Sequence, residues 1–169
     1  MHLDIGVITP TFSPMVTTLR DEIKQRKPFT SLPHEAQLNL VRTAAMLVDD
    51  VEQLLKPYGI TATQYNVLRI LRGAEPEGLC RNEVRDRMLT RMPDMTRLLD
   101  RMEEAGLVAR SRERDDRRMV MTRIAPTGRR LLAELDDVVA NEHKRRFRNL
   151  TDSQLRSLIE LLTTIRQGG

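Results

Sequence analysis

Arginine is the residue type placed least evenly along this chain. Between Arg81 and Arg130 stand fourteen Arg, nine Asp or Glu and no Lys, a local charge of +5, whereas the rest of the chain sums to −1 within a net charge of +4. A guanidinium is planar and donates hydrogen bonds in pairs, so a segment that uses Arg alone suits phosphate oxygens and the edge of guanine. Other chemistry-bearing types are sparse. Cys80 is the single cysteine and cannot form an internal disulfide, and His2, His34 and His143 lie at no metal-ligand spacing. The chain has no G-x-S-x-G, no Gly-rich phosphate loop and no H-E-x-x-H, and its histidines have no carboxylate or thiol partner by spacing. No enzyme activity, metal or cofactor is expected.

The elements that must position these arginines are mainly helical. The composition is 40% hydrophobic and 31% charged but only 3% aromatic, with no Trp, which argues against an aromatic-rich β-sandwich. No apolar run approaches the roughly 20 residues of a membrane span, and the first fifteen residues lack a signal-peptide pattern, so a cytoplasmic protein with no membrane partner is expected. Residues 1–30, with Pro10, Pro14 and Pro28, read as an extended arm with a short helix near Thr18 to Arg26. From Pro33 to Lys56 apolar residues fall on two helical stripes, Leu38 to Leu55 and Leu40 to Leu54, and a helix apolar on two faces must be covered twice. A second subunit is the simplest second cover.

Further along, Thr61 and Gln64 form a capping box that opens a second helix, which stops near Gly73. A third helix is expected from Arg81 to Leu89. A fourth is expected to start around Thr90 to Pro93, with Pro in its first turn, and to end at Gly106. Its apolar stripe of Met95, Leu98, Leu99 and Met102 leaves Asp94, Thr96, Arg97, Asp100 and Arg101 outward. After Gly106 the period shortens to two, predicting a two-stranded hairpin with an Arg-rich tip from Arg112 to Arg118. Pro126 opens a long helix ending near Arg148, and Thr151 with Gln154 caps the last. Two short helices in tight succession followed by a hairpin read as a helix-turn-helix with a β-wing, a mainly α fold with a small β element.

The run from Met95 to Val108, Met-Thr-Arg-Leu-Leu-Asp-Arg-Met-Glu-Glu-Ala-Gly-Leu-Val, followed by Asp115-Asp116-Arg117-Arg118-Met119-Val120-Met121, resembles the MarR family of dimeric bacterial transcriptional regulators. The resemblance covers about residues 34–166. It implies a winged helix-turn-helix lobe over 60–125, dimerisation helices over 31–58 and 126–169, and a homodimer acting on a pseudo-palindromic operator in double-stranded DNA, as a ligand-responsive repressor. By the same resemblance Asp94, Thr96 and Arg97 read the major groove, and Arg118, oriented by Asp116, enters the minor groove. Arg91, Arg112, Arg114 and Arg117 are placed for phosphates, which fix register without reading sequence. An effector, a small anionic aromatic compound, is expected beside Arg42, Tyr65 and Arg69. Where the family has Leu-Thr before its long fifth helix this chain has Ile124-Ala125, so Pro126 must set that start without a capping hydroxyl. Two other readings remain: a helical protein-interaction module, and a thiol-based redox-sensing regulator acting through Cys80.

Overall fold

The computed structural model describes residues 17–112 and 119–168, which fall into two compact units divided between Leu47 and Val48. In the first, Thr18 caps the short helix α1 (Leu19–Glu22). Its N–H donates to Asp21 Oδ2 at 3.2 Å and its hydroxyl to the same oxygen at 2.6 Å, which holds the Asp21 carboxyl below its ordinary range. The expected extension to Arg26 does not form, because Lys24 adopts φ +53°, a left-handed turn that ends the helix. Arg20 closes that turn by donating to the carbonyls of Gln25 and Arg26. Helix α2 (Leu32–Leu55) begins in this unit and runs into the second.

In the second unit Pro57 turns the chain through a 3-10 segment, Lys56–Tyr58, and Gly59 at φ +72° closes it. The expected capping box opens α3 (Ala62–Arg72): Gln64 N–H donates to Thr61 Oγ1 at 3.2 Å, and Thr61 N–H donates to Gln64 Oε1 at 2.9 Å. Then come β1 (Leu79–Cys80), α4 (Arg81–Asp86), α5 (Met95–Glu104), β2 (Val108–Arg112) and β3 (Val120–Ile124). The long helix α6 (Pro126–Phe147) and α7 (Asp152–Gln167) follow, α7 opened by a second capping box between Thr151 and Gln154. One hydrophobic core gathers Leu55, Val67, Leu68, Leu71, Val84, Leu99, Met102, Leu132 and Leu135, all essentially buried.

Three expectations are corrected. Helix α4 stops at Asp86 instead of Leu89. Helix α5 starts at Met95, not at Thr90 to Pro93, because the Asp94 carboxylate takes the Arg97 N–H at 3.0 Å and so becomes the N-cap, leaving Pro93 outside the helix. The hairpin is part of a three-stranded antiparallel sheet in the order β1-β3-β2, since Leu79 pairs with Thr122 and Cys80 with Met121. Two residues are too few for an alternation to show, so β1 carries no period of its own.

Helix α6 is held to the lobe at several points. Arg72 donates two bonds of 2.8 Å to Asp136, Arg129 pairs with Glu75, and Leu132, Leu135 and Val139 enter the core. It also approaches closely at Gly128, where an added Cβ would lie 2.3 Å from the Leu107 carbonyl oxygen and 3.0 Å from Leu68 Cδ2. Backbone cannot yield as a flexible side chain does. Gly128→Ala is therefore expected to destabilise the protein by roughly 1–3 kcal/mol through overpacking, despite the better helix propensity of Ala, lowering the urea midpoint. An unchanged or raised midpoint contradicts this close approach.

Candidate nucleic-acid interface

Helix α5 buries Met95, Leu98, Leu99 and Met102 and turns Asp94, Thr96, Arg97 and Arg101 to the surface, as its period predicts. At its start Asp94 does two things. One carboxylate oxygen caps the helix, and the other lies 3.4 Å from Arg97 Nε. Arg97 is thereby held over the first turn, 77% exposed, with its remaining N–H groups facing solvent. Arg81, the first residue of α4, reaches across to donate to Thr96 Oγ1 at 3.2 Å, which joins the two helices at the same face. Arg101 Nε folds back onto the Arg97 carbonyl at 3.4 Å.

The wing is tied to this helix by a residue that the sequence reading did not single out. Arg110 of β2 donates through Nε to Glu103 Oε2 at 2.8 Å, its Nη2 lies 2.6 Å from Asp100 Oδ1, and its backbone N–H donates to Glu103 Oε1 at 3.0 Å. One guanidinium between two carboxylates clamps β2 onto α5. On β3, Arg123 donates to Ser111 Oγ at 2.7 Å and to the Pro76 carbonyl at 3.2 Å, joining both neighbouring segments. A cleft of about 560 Å³ opens between α5 and the sheet, lined by Arg81, Thr96, Arg110, Met119 and Thr122 among others. Cys80 also lines it, partly exposed, at the N-cap of α4, where its backbone N–H donates to Glu83 Oε2 at 2.8 Å.

The Arg110 side chain, donating to Glu103, holds that carboxyl below the usual Glu range, and Glu103 in turn raises the Arg110 guanidinium. A carboxyl depressed in the folded state stabilises it above the unfolded pKa, and the gain is lost as pH falls through the folded value. The clamp should thus weaken below about pH 4.3, the ordinary Glu value, and modestly, since both carboxylates are well exposed to water. Unfolding temperatures of the wild type and Glu103→Gln should draw closer as pH falls from 7 to 3. A constant difference contradicts the clamp.

Of the remaining expected DNA contacts, Arg91 is exposed in the turn between α4 and α5, and Arg112 is exposed at the end of β2. Arg114, Asp116, Arg117 and Arg118 lie outside the described residues. Of the expected effector residues, Tyr65 is buried in the core and Arg69 lies over its ring at 6.0 Å, while Arg42 in the first unit pairs with Glu22 at 3.6 Å. Among the described residues no group of three or more His, Cys, Asp or Glu is placed to hold a metal ion, and no helix is long and apolar enough to cross a membrane. Sequence signals for the added residues were thin. Arg81 and Arg110 look like other Arg in the basic segment, and only a Gly in the first turn of α6, where Ala suits a helix better, hints at the approach by Gly128.

Two short helices, the second with an exposed polar face, followed by a hairpin locked to it, define a winged helix-turn-helix protein. A sequence model of the MarR family matches residues 58–119. The chain is similar to a MarR transcription factor from Planctomyces limnophilus, with 37% identity, covering 80% of this chain and 98% of that one at a TM-score of 0.62. It is similar also to CouR from Rhodococcus jostii, solved bound to p-coumaroyl-CoA, with 28% identity over 81% of this chain and 95% of that one and a TM-score of 0.68. The HTH-type transcriptional repressor IacR of Pseudomonas putida is 25% identical over 126 residues, 75% of this chain and 74% of that protein. The chain belongs to the MarR family of DNA-binding transcriptional regulators.

Proposed function

We propose that the protein is a ligand-responsive repressor that binds a pseudo-palindromic operator as a homodimer. The observation that carries this reading is the start of α5, where Asp94 holds Arg97 outward at the first turn while Arg110 fixes the wing beside it. Arg97 and Thr96 contact base edges in the major groove, and Asp94 orients Arg97 through the cap. Arg91, Arg112, Arg114 and Arg117 take phosphates, and Arg118, steadied by Asp116, enters an adjacent minor groove where a narrow width concentrates negative potential. Residues 60–125 form the DNA-binding lobe, 31–58 and 126–169 the dimerisation helices, and 1–30 an arm. A protein with this task works in the cytoplasm.

Dimerisation is supported by apolar positions the chain itself leaves uncovered. In α2 only Leu55 is buried, while Val41 and Val48 stand exposed, and α7 buries no residue although Ile159, Leu161 and Ile165 project from it. The effector reading draws on CouR, solved with an aromatic acyl thioester bound, and assigns a small anionic aromatic ligand to Arg42, Tyr65 and Arg69. A ligand shifts DNA binding only to the extent that it prefers one state.

The test is binding of the full chain to duplexes selected from a random pool, measured by anisotropy across a salt series with and without a panel of phenolic and salicylate-like acids. Log affinity should fall with log salt by about 0.9 per phosphate neutralised, and at least one acid should weaken binding. A flat salt dependence rejects the DNA reading, and a panel that shifts neither operator affinity nor melting temperature rejects the effector class.

A further inference from the structure

The turn between α4 and α5 presents an apolar side chain that neither the core nor the charge pattern accounts for. Leu89 is 87% exposed, the most exposed of the large hydrophobic residues described. Its position is not a loose one. The Leu89 N–H donates to Asn66 Oδ1 of α3 at 3.2 Å, and Met88 and Met92 on either side pack against the core, so the turn holds Leu89 outward. Arg85, Arg87 and Arg91 are exposed along the same stretch, and Arg91 makes no hydrogen bond or ion pair among the described residues. Arg85, Asp86, Met88, Leu89, Arg91 and Met92 are among the residues that line a shallow cleft of about 580 Å³.

A projecting leucine flanked by Arg87 and Arg91, with Arg85 paired to Asp86 at 3.3 Å, matches one partner chemistry well. In the major groove of DNA, phosphates edge a floor whose one apolar feature is the C5 methyl of thymine. A protein partner that buried Leu89 would instead have to bring carboxylates to meet Arg87 and Arg91 or bury them unpaired, which is costly. The turn also leads directly into the end of α5 that enters the groove in this class of protein. We propose that Leu89 is a specificity-determining contact, packing on a thymine methyl while Arg91 holds a neighbouring phosphate. The proposal rests on the reading of α5 as the recognition helix.

The test uses the full-length protein and a duplex that the wild type selects from a random pool. Each thymidine is replaced in turn by deoxyuridine, which removes the methyl group and nothing else. At one symmetry-related pair of positions the wild type should lose roughly fourfold in affinity per half-site, the worth of one buried carbon. Leu89→Ser should bind the thymidine and deoxyuridine duplexes equally at that pair, with circular dichroism unchanged because the side chain is exposed. Leu89→Met should keep the sensitivity. The proposal is overturned if Leu89→Ser shows the same sensitivity as the wild type at every position, if the wild type is indifferent to every replacement, or if the selected half-site contains no thymine. In each of those cases Leu89 belongs to a contact other than the groove floor. A pool from which the wild type selects nothing overturns the recognition-helix reading itself, and this inference with it.

Discussion

Arg97→Ala should weaken operator binding and relax the preference at one symmetric position in each half-site. A bidentate contact from Arg to guanine contributes roughly 1–3 kcal/mol of discrimination, and a symmetric dimer loses it twice. The structure sharpens the expectation, because Arg97 is held at the first turn of α5 by Asp94 and not spread over the surface. Asp94→Asn keeps a capping side chain but removes the ionic partner, so it should lower affinity less than Arg97→Ala while leaving the helix formed. Arg118→Ala makes the contrast. A wing arginine in a narrow minor groove is read through potential more than through base identity. Its loss should lower affinity for all sequences, with a salt slope smaller by about 0.9 per half-site if the side chain neutralises one phosphate charge. Anisotropy on the selected duplex, on its single-base variants and across salt separates the two. If Arg97→Ala leaves the sequence preference intact and Arg118→Ala leaves the slope unchanged, the proposed docking is wrong even though the fold stands.

The second large effect is expected at α7. Light scattering of the wild type at micromolar concentration should give close to twice the 19.5 kDa chain mass. Leu161 and Ile165 lie one turn apart on α7 and are 64% and 59% exposed in the single chain. Full burial of such side chains is worth roughly 1.5–3 kcal/mol each, and by symmetry each is lost twice in Leu161→Glu/Ile165→Glu. Every 1.4 kcal/mol is about tenfold in Kd, so the double variant should be monomeric at micromolar concentration. It should also lose operator binding, since one lobe then contacts one half-site. Neither residue is part of the monomer's core, so the variant should keep its helical circular dichroism. A wild type that runs as a monomer, or a double variant that remains a dimer, removes this face from the interface.

Much of this protein is determined over distances of three or four residues. The capping boxes at Thr61 and Gln64 and at Thr151 and Gln154 set two helix starts, and the spacing of Met95, Leu98, Leu99 and Met102 sets which face of α5 turns inward. These features are readable in the chain because donor, acceptor and period lie within one or two turns. Even locally, one helix start departs from its sequence signal. Pro93 signals a helix start, but the start goes to Asp94, whose carboxylate accepts the Arg97 N–H as a proline ring cannot. What only the tertiary structure decided depends on partners distant in sequence. Leu79 and Cys80 become a strand because β3 offers them an edge, Arg110 becomes a clamp because β2 passes beside Asp100 and Glu103, and Gly128 is needed because α6 meets the Leu107 carbonyl. A residue's type states what it is able to bond, but which of fourteen similar arginines is committed to a carboxylate and which is left facing solvent follows only from what the folded chain brings within 3 or 4 Å of it.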